Sequence, residues 1–212
     1  MLVRNMNETE IFQELLKDMP NVIQESDRHD KKFRRMVLKS ILFPVRPKAI
    51  RYTSPRKNKW LIQLEARSKK EIGENSRIHS ICYVDVIGRG YYAYMITSTN
   101  ERWHMTVYPP HFFSRYAQRC NINLCGVDLI EHFFKDNYNY AFSEKKELVS
   151  ENQYIHYIYG ATSQGVAMGV LTIEGNVLFR TFITYEMSKG EQIDEFAKSQ
   201  QIRAEIHEKE KL

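Results

Sequence analysis

The chain has 212 residues, 42% apolar and 27% charged, with a formal net charge of +5, a balance that suits one globular domain with appendages and excludes a disordered tail. No run of eighteen apolar residues occurs and residues 1–7 lack the apolar stretch of a secretory leader, so neither a membrane span nor export is expected, and no membrane is expected among the partners. Three cysteines, Cys82, Cys120 and Cys125, are an odd number without a CxxC pair, which argues against a disulfide framework or a zinc knuckle and makes a reducing cytoplasm the expected compartment.

The first predicted element is a short amphipathic helix over 8–17, with Ile11, Phe12, Leu15 and Leu16 at helical spacing, Asn7 as its cap and Pro20 as its stop. After Ser26, the stretch DRHDKKFRRMVLKSILF predicts a second, basic helix. It places Phe33, Val37 and Ile41 on one face, with Lys31, Lys32, Arg34, Arg35 and Lys39 on the others. Pro44 and Pro47 end it, and the residues up to Lys59 read as an extended, solvated connection. Residues 1–58 are therefore expected to form a basic helical arm and linker.

Runs rich in aromatic and β-branched residues over 60–66, 79–87, 91–98 and 103–108 predict successive antiparallel strands, with Gly88-Arg89-Gly90 as a hairpin turn. Pro109 and Pro110 open a helix through HFFSRYAQRC, since a first helical turn has no use for the missing N–H. A second helix over 127–134 carries Leu129, Ile130, Phe133 and Phe134. Four more strands are predicted over 141–149, 153–159, 165–173 and 176–185, the last two joined at Gly175-Asn176. A final helix is predicted over 189–209. The expected architecture is α+β: a core over 59–187 built as an antiparallel sheet with two central helices, preceded by the helical arm and followed by a C-terminal helix over 188–212.

Charge is concentrated. Residues 28–70 contain fifteen Lys and Arg against two acids, Asp30 and Glu65, a local balance of +13, while the other 169 residues sum to −8. Such a patch raises the local potential by several kT and points to a polyanion, with nucleic acid, RNA in particular, ahead of an acidic protein. Lys31, Lys32, Arg34, Arg35, Arg56 and Lys57 are the candidate nucleic-acid contacts, and Phe33, Tyr52 and Trp60 lie among them as candidate stacking partners. The same segment also reads as a solubilising arm.

A second basic feature is the row His111, Arg115 and Arg119, four residues apart on one helix face. Transesterification of RNA needs a base for the 2′-hydroxyl, cations for the phosphorane and an acid for the leaving oxygen; one imidazole and two guanidiniums supply these without a metal. A solvated or salt-bridged face has the same pattern. The histidines show no HxxxH, HxH or HExxH spacing, so neither a metal nor another cofactor is expected. Cys120 or Cys125 with His104 or His132 is a further nucleophile pairing, against the commoner buried, inert thiol. Tyr157 and Tyr159 share one strand face and fit either base stacking or a half-buried sheet.

The block PPHFFSRYAQRCNINLCGVDLIEHFF, with the strands that follow it to VLFRTFITYEM, resembles the RelE-type and colicin-like nuclease domains grouped with barnase, and uncharacterised bacterial proteins sharing the His-x3-Arg-x3-Arg helix block. The resemblance spans about residues 108–187. It implies a four-stranded antiparallel sheet packed by the helix pair, with His111, Arg115 and Arg119 as catalytic positions and Thr181 or Thr184 on the last strand. Three residues apart on a strand, the two threonines face opposite ways, and Thr181 is the one assigned to the helix side. The expected activity is metal-independent cleavage of RNA phosphodiesters, of toxin or mobile-element type; the alternative is a non-catalytic module that holds nucleic acid or an acidic protein through 28–70.

Overall fold

The computed structural model describes residues 1–3, 5–71, 77–99, 102–137, 141–150 and 153–187, together with Phe196, Ala197, Gln200, Gln201, Ala204 and Glu205. The elements in chain order are α1 (Glu8–Leu16), α2 (Met19–Lys39), β1 (Ile50–Thr53), β2 (Lys59–Glu65), β3 (Arg77–Val86), β4 (Gly90–Thr99), β5 (Arg102–Tyr108), α3 (Pro110–Arg119), α4 (Gly126–Asp136), β6 (Ala141–Ser150), β7 (Gln153–Ala161), β8 (Val166–Leu171) and β9 (Val177–Ile183). The strands follow the order β1-β2-β3-β4-β5-β9-β8-β7-β6 in a nine-stranded sheet.

This corrects the expected antiparallel sheet with two central helices. The sheet is mixed, because β9 returns beside β5 in parallel, pairing Thr106 with Val177 and Val107 with Leu178. Hairpin turn signals are local, and nothing in the turn residues marks a strand that comes back about seventy residues later. The C-terminal helix expected over 189–209 lies largely outside the described residues; within it, Phe196 is buried against Val166 and Ile183 and meets the Tyr159 ring edge-on.

The chain divides into two compact units, Met1–Ile87 with Ala93–Met105, and Gly88–Tyr92 with Thr106–Leu212. In the first, Asn7 and Glu10 form a capping box that starts α1: the Asn7 side chain accepts from the Glu10 amide at 2.9 Å and Glu10 accepts from the Asn7 amide at 2.8 Å. Pro20 does not end a helix but opens one, since it falls in the first turn of α2. Met19, Val22, Ser26, Phe33 and Val37, three, four or seven residues apart, form the buried stripe of α2, which packs on β1 and β2. The basic helix is thus packed on β1 and β2 through this stripe. The predicted solvated connection contains β1, paired antiparallel with β2 from Ile50 opposite Ile62 to Thr53 opposite Lys59. Every residue of β2 from Trp60 to Glu65 is buried.

Asp18, at the junction of α1 and α2, is fully buried. One of its carboxylate oxygens accepts from Ser54 Oγ at 2.7 Å, Asn58 Nδ2 at 2.8 Å and Trp60 Nε1 at 3.1 Å. The start of the basic helix is thereby pinned to the β1–β2 turn. Lys57 occupies that turn with φ 66°, in the left-handed region.

In the second unit, α3 and α4 bury an aromatic cluster with β9. Tyr108, Phe112, Tyr116, Phe133, Phe179 and Phe182 are all fully buried. Edge-to-face pairs such as Tyr116–Phe133 at 4.9 Å and Phe112–Phe133 at 5.1 Å add to the area they remove from water. At Gly169 on β8 a Cβ would lie 2.2 Å from the Leu178 carbonyl oxygen, so the close approach of β8 and β9 requires glycine there. A buried polar chain ties the end of α4 to the β7–β8 turn: Thr162 Oγ1 donates to Asn137 at 2.7 Å, Asn137 to Gln164 at 2.8 Å and Tyr116 to Gln164 at 2.7 Å.

Candidate functional site

The row on α3 is present, but its members have different fates. His111 and Arg115 are exposed, and among the described residues Arg115 reaches only Gln118 of its own helix, at 3.3 Å. Arg119 is half-buried and turns to the last strand, where Nη1 donates to Thr181 Oγ1 at 3.2 Å and to the Phe182 carbonyl. The structure therefore brings Arg119 and Thr181 together, and Thr181 is the threonine on the helix side. Among the described residues none of the three basic side chains forms an ion pair with a carboxylate.

A cleft of ≈ 320 Å³ adjoins α3, lined in part by Arg89, Pro110, Phe113, Ala117 and Leu129. At 3.6 residues per turn, the α3 residues that line it lie roughly 150° round the helix from the His111–Arg115–Arg119 row. His111 and Arg115 are exposed on that other side, and none of the three basic residues lines the cleft. Of the cysteines in this unit, Cys125 is free and exposed and Cys120 is half-buried. Burial raises the Cys120 thiol above the usual range and, more strongly, the Tyr116 phenol, so both stay protonated at neutral pH. His132 pairs with Asp136 at 3.3 Å. In the first unit, burial, reinforced by the Asp18 charge, raises the Cys82 thiol far above its ordinary value. Gly88 and Gly90 adopt φ 76° and 91° in the β3–β4 hairpin turn. Among the described residues no group of three or more His, Cys, Asp or Glu side chains is placed to hold a metal ion.

The basic segment divides into an inward and an outward set. Glu65, fully buried on β2, accepts from Arg46 Nε at 2.8 Å on one oxygen and from Arg67 Nε at 2.8 Å on the other. Arg56 forks onto Glu14 at 2.9 and 2.6 Å. The Arg56 fork, with help from the Met1 amine, holds the Glu14 carboxyl down at about 2 despite its burial. Arg28 pairs with Glu25 of its own helix at 2.7 Å. At least four of the fifteen cations are thus committed to carboxylates, Arg56 of the candidate contacts among them.

The outward set sits on α2. Lys31, Lys32, Arg34, Arg35 and Lys39 are all exposed, and among the described residues none of them pairs with a carboxylate. Lys31, Lys32, Arg35 and Lys39 fall within an arc of roughly 100° on the side opposite the buried stripe, with Arg34 roughly 60° outside it. Lys57 is exposed in the β1–β2 turn. The aromatic residues expected to stack on bases are not available there: Phe33 is 3% exposed, Trp60 is fully buried and Tyr52 is half-buried.

The helix period also misled at one position. The α2 helix stops at Lys39, where the Ser40 amide closes on the Met36 carbonyl at 3.0 Å, so Ile41 does not extend the buried face. It is 90% exposed, Leu42 is 78% exposed and Leu38 is 55% exposed. A serine three residues before the Phe43-Pro44 bond was the signal available for that earlier stop. No described helix is long and apolar enough to cross a membrane. The chain matches no family model, no curated protein and no solved structure.

Proposed function

We propose that this chain is a non-catalytic binding module whose α2 surface grips a phosphate-bearing polyanion. The observation that carries the reading is the set of five exposed cations, Lys31, Lys32, Arg34, Arg35 and Lys39, on the outer face of one 21-residue helix without carboxylate partners among the described residues. A solvated, self-compensated surface would pair them, as Arg28, Arg46, Arg56 and Arg67 are paired. The buried stripe and the Asp18 hub hold this helix rigid, so little ordering entropy opposes binding.

Nucleic acid is the first polyanion to test. Five phosphate contacts on duplex DNA give a log–log salt slope near −4.5, about a 500-fold loss of affinity between roughly 50 and 200 mM salt. Titrating labelled duplex and single-stranded oligonucleotides against wild type and a Lys31→Ala/Lys32→Ala variant measures this slope. The variant is expected to lower the slope by about 2. A slope unchanged by the two substitutions refutes the assignment of α2 as the contact surface.

A second reading, cleavage of RNA by His111 and Arg115 with Arg119 and Thr181, is favoured by the Arg119–Thr181 contact and by the lack of carboxylate partners along the row among the described residues. It ranks below the first because Arg119 spends its Nη1 on the Phe182 carbonyl and because the cleft lies on another face of α3.

A further inference from the structure

The polyanion reading leaves one feature of the same surface unexplained. Leu38, Ile41 and Leu42 project at the end of the basic helix, and Met36, one turn before Ser40, is 39% exposed. Four large apolar side chains within seven residues are thus open to solvent, with Arg34 and Arg35 just before them and Lys39 among them. They are held in that display. Ser40 Oγ donates to the Leu42 carbonyl at 2.6 Å and accepts from the Leu42 amide at 3.2 Å. Just beyond, Val45 exchanges backbone hydrogen bonds with Ala66 at 2.8 and 3.1 Å. The loop is anchored at both ends, and its apolar tips do not fold back onto the core.

We infer that the phosphate surface this helix recognises is an anionic lipid bilayer, with Leu38, Ile41 and Leu42 entering the interface while Lys31, Lys32, Arg34, Arg35 and Lys39 meet the headgroups. The inference rests on the polyanion reading and specifies its partner. Nucleic-acid phosphates reward the cations but give Ile41 and Leu42 nothing to bury against, and of the aromatic side chains placed among the cations Phe33 and Trp60 are buried and Tyr52 is half-buried. Pairing of the patch with a second copy would bring Arg34, Arg35 and Lys39 against their own equivalents, an arrangement that like-charge repulsion opposes. A bilayer rich in acidic lipid satisfies both halves of the surface: apolar side chains reach the acyl boundary and each basic side chain gains from the negative surface potential. Exposed apolar groups ringed by cations on an otherwise packed protein are a mark of such a contact.

The test is co-sedimentation of the full chain with phosphatidylcholine vesicles, with and without phosphatidylserine, alongside a duplex oligonucleotide. Three proteins are compared: wild type, Ile41→Ser/Leu42→Ser, and Lys31→Glu/Lys32→Glu/Arg35→Glu. All changed residues are exposed, and circular dichroism checks that each variant is folded. Wild type is expected to bind only the vesicles containing phosphatidylserine. The serine variant should lose at least about tenfold in vesicle affinity while binding duplex as wild type does, and the glutamate variant should lose both ligands. Vesicle binding by the serine variant equal to wild type, or binding of duplex by wild type without binding of vesicles, overturns the bilayer inference and leaves the polyanion reading standing. Equal behaviour of the glutamate variant and wild type, or binding of neither ligand by wild type, overturns both.

Discussion

Replacing Glu65 by Gln would test whether the positive charge of residues 28–70 is a single patch or two populations. Glu65 is fully buried and serves two arginines whose side chains are only 9% and 10% exposed, each at 2.8 Å. Gln keeps the shape and one acceptor but removes the charge that both guanidiniums share. Removing one partner from a buried ion pair costs about 3–5 kcal/mol, a large part of the roughly 5–15 kcal/mol that stabilises a typical domain. For a chain of this size the melting temperature should fall by about 6–20 °C. Urea denaturation followed by tryptophan fluorescence reads the change, since Trp60 lies on the same strand as Glu65. The triple variant Glu65→Gln/Arg46→Met/Arg67→Met removes the uncompensated cations as well and is expected to recover most of the loss. Its affinity for a polyanion should match wild type within about twofold, because neither arginine faces solvent. A loss below about 1 kcal/mol for the single variant would refute the argument that the triad is buried and shared. A polyanion affinity that drops sharply in the triple variant would refute the division into inward and outward cations.

Three other outcomes follow from the same geometry. The Glu14 carboxyl is held at about 2 in the folded chain against an ordinary 4.5, so its contribution is complete above pH ~4.5 and is lost as pH falls toward ~2; wild type should therefore lose more stability than Glu14→Gln over that interval in acid titrations monitored by denaturant midpoint, and parallel losses would refute the Arg56 fork as the cause. Gly169→Ala places a methyl 2.2 Å from the Leu178 carbonyl oxygen, forcing β8 and β9 apart at a cost of about 3 kcal/mol or more; a variant as stable as wild type by thermal melting would show that the strands do not approach so closely. Purified protein incubated with RNA and a chelator should leave the RNA intact, as should Arg115→Ala and His111→Ala; degradation by wild type that either substitution abolishes would reinstate cleavage as the function.

The strands were readable because the sheet is built from local pairs with ordinary turn chemistry. Eight of the nine predicted themselves from β-branched and aromatic runs, and Gly88-Arg89-Gly90 marked its hairpin correctly. The ninth, IRYT at β1, is short and sits between Pro47 and Pro55, so it carried no period to detect. The site was less legible, and the reason is physical: whether a cation is available depends on partners far away in sequence. Arg56 meets Glu14 from 42 positions away and Arg46 meets Glu65 from 19. A count of charge by segment cannot separate these from Lys31 or Arg35. The pairing of Arg119 with Thr181 was visible as a face relation, but the carbonyl of Phe182 beside it was not, and that contact is what turns a candidate catalytic arginine into a brace. Helical spacing places Ile41 on the face of Phe33 and Val37, but the helix ends at Lys39, two residues before it.

The parallel neighbour of β5 has a bearing on how the chain is made. Thr106 and Val107 are synthesised about seventy residues before Val177 and Leu178, and at ordinary ribosomal speeds that interval lasts roughly 4–14 s. Throughout it, one flank of β5 presents unsatisfied amides and carbonyls, a template that any passing extended segment can occupy. Newborn chains stalled within this window are the ones most prone to capture by a stranger's strand, and a holdase that shields β5 would be most useful there.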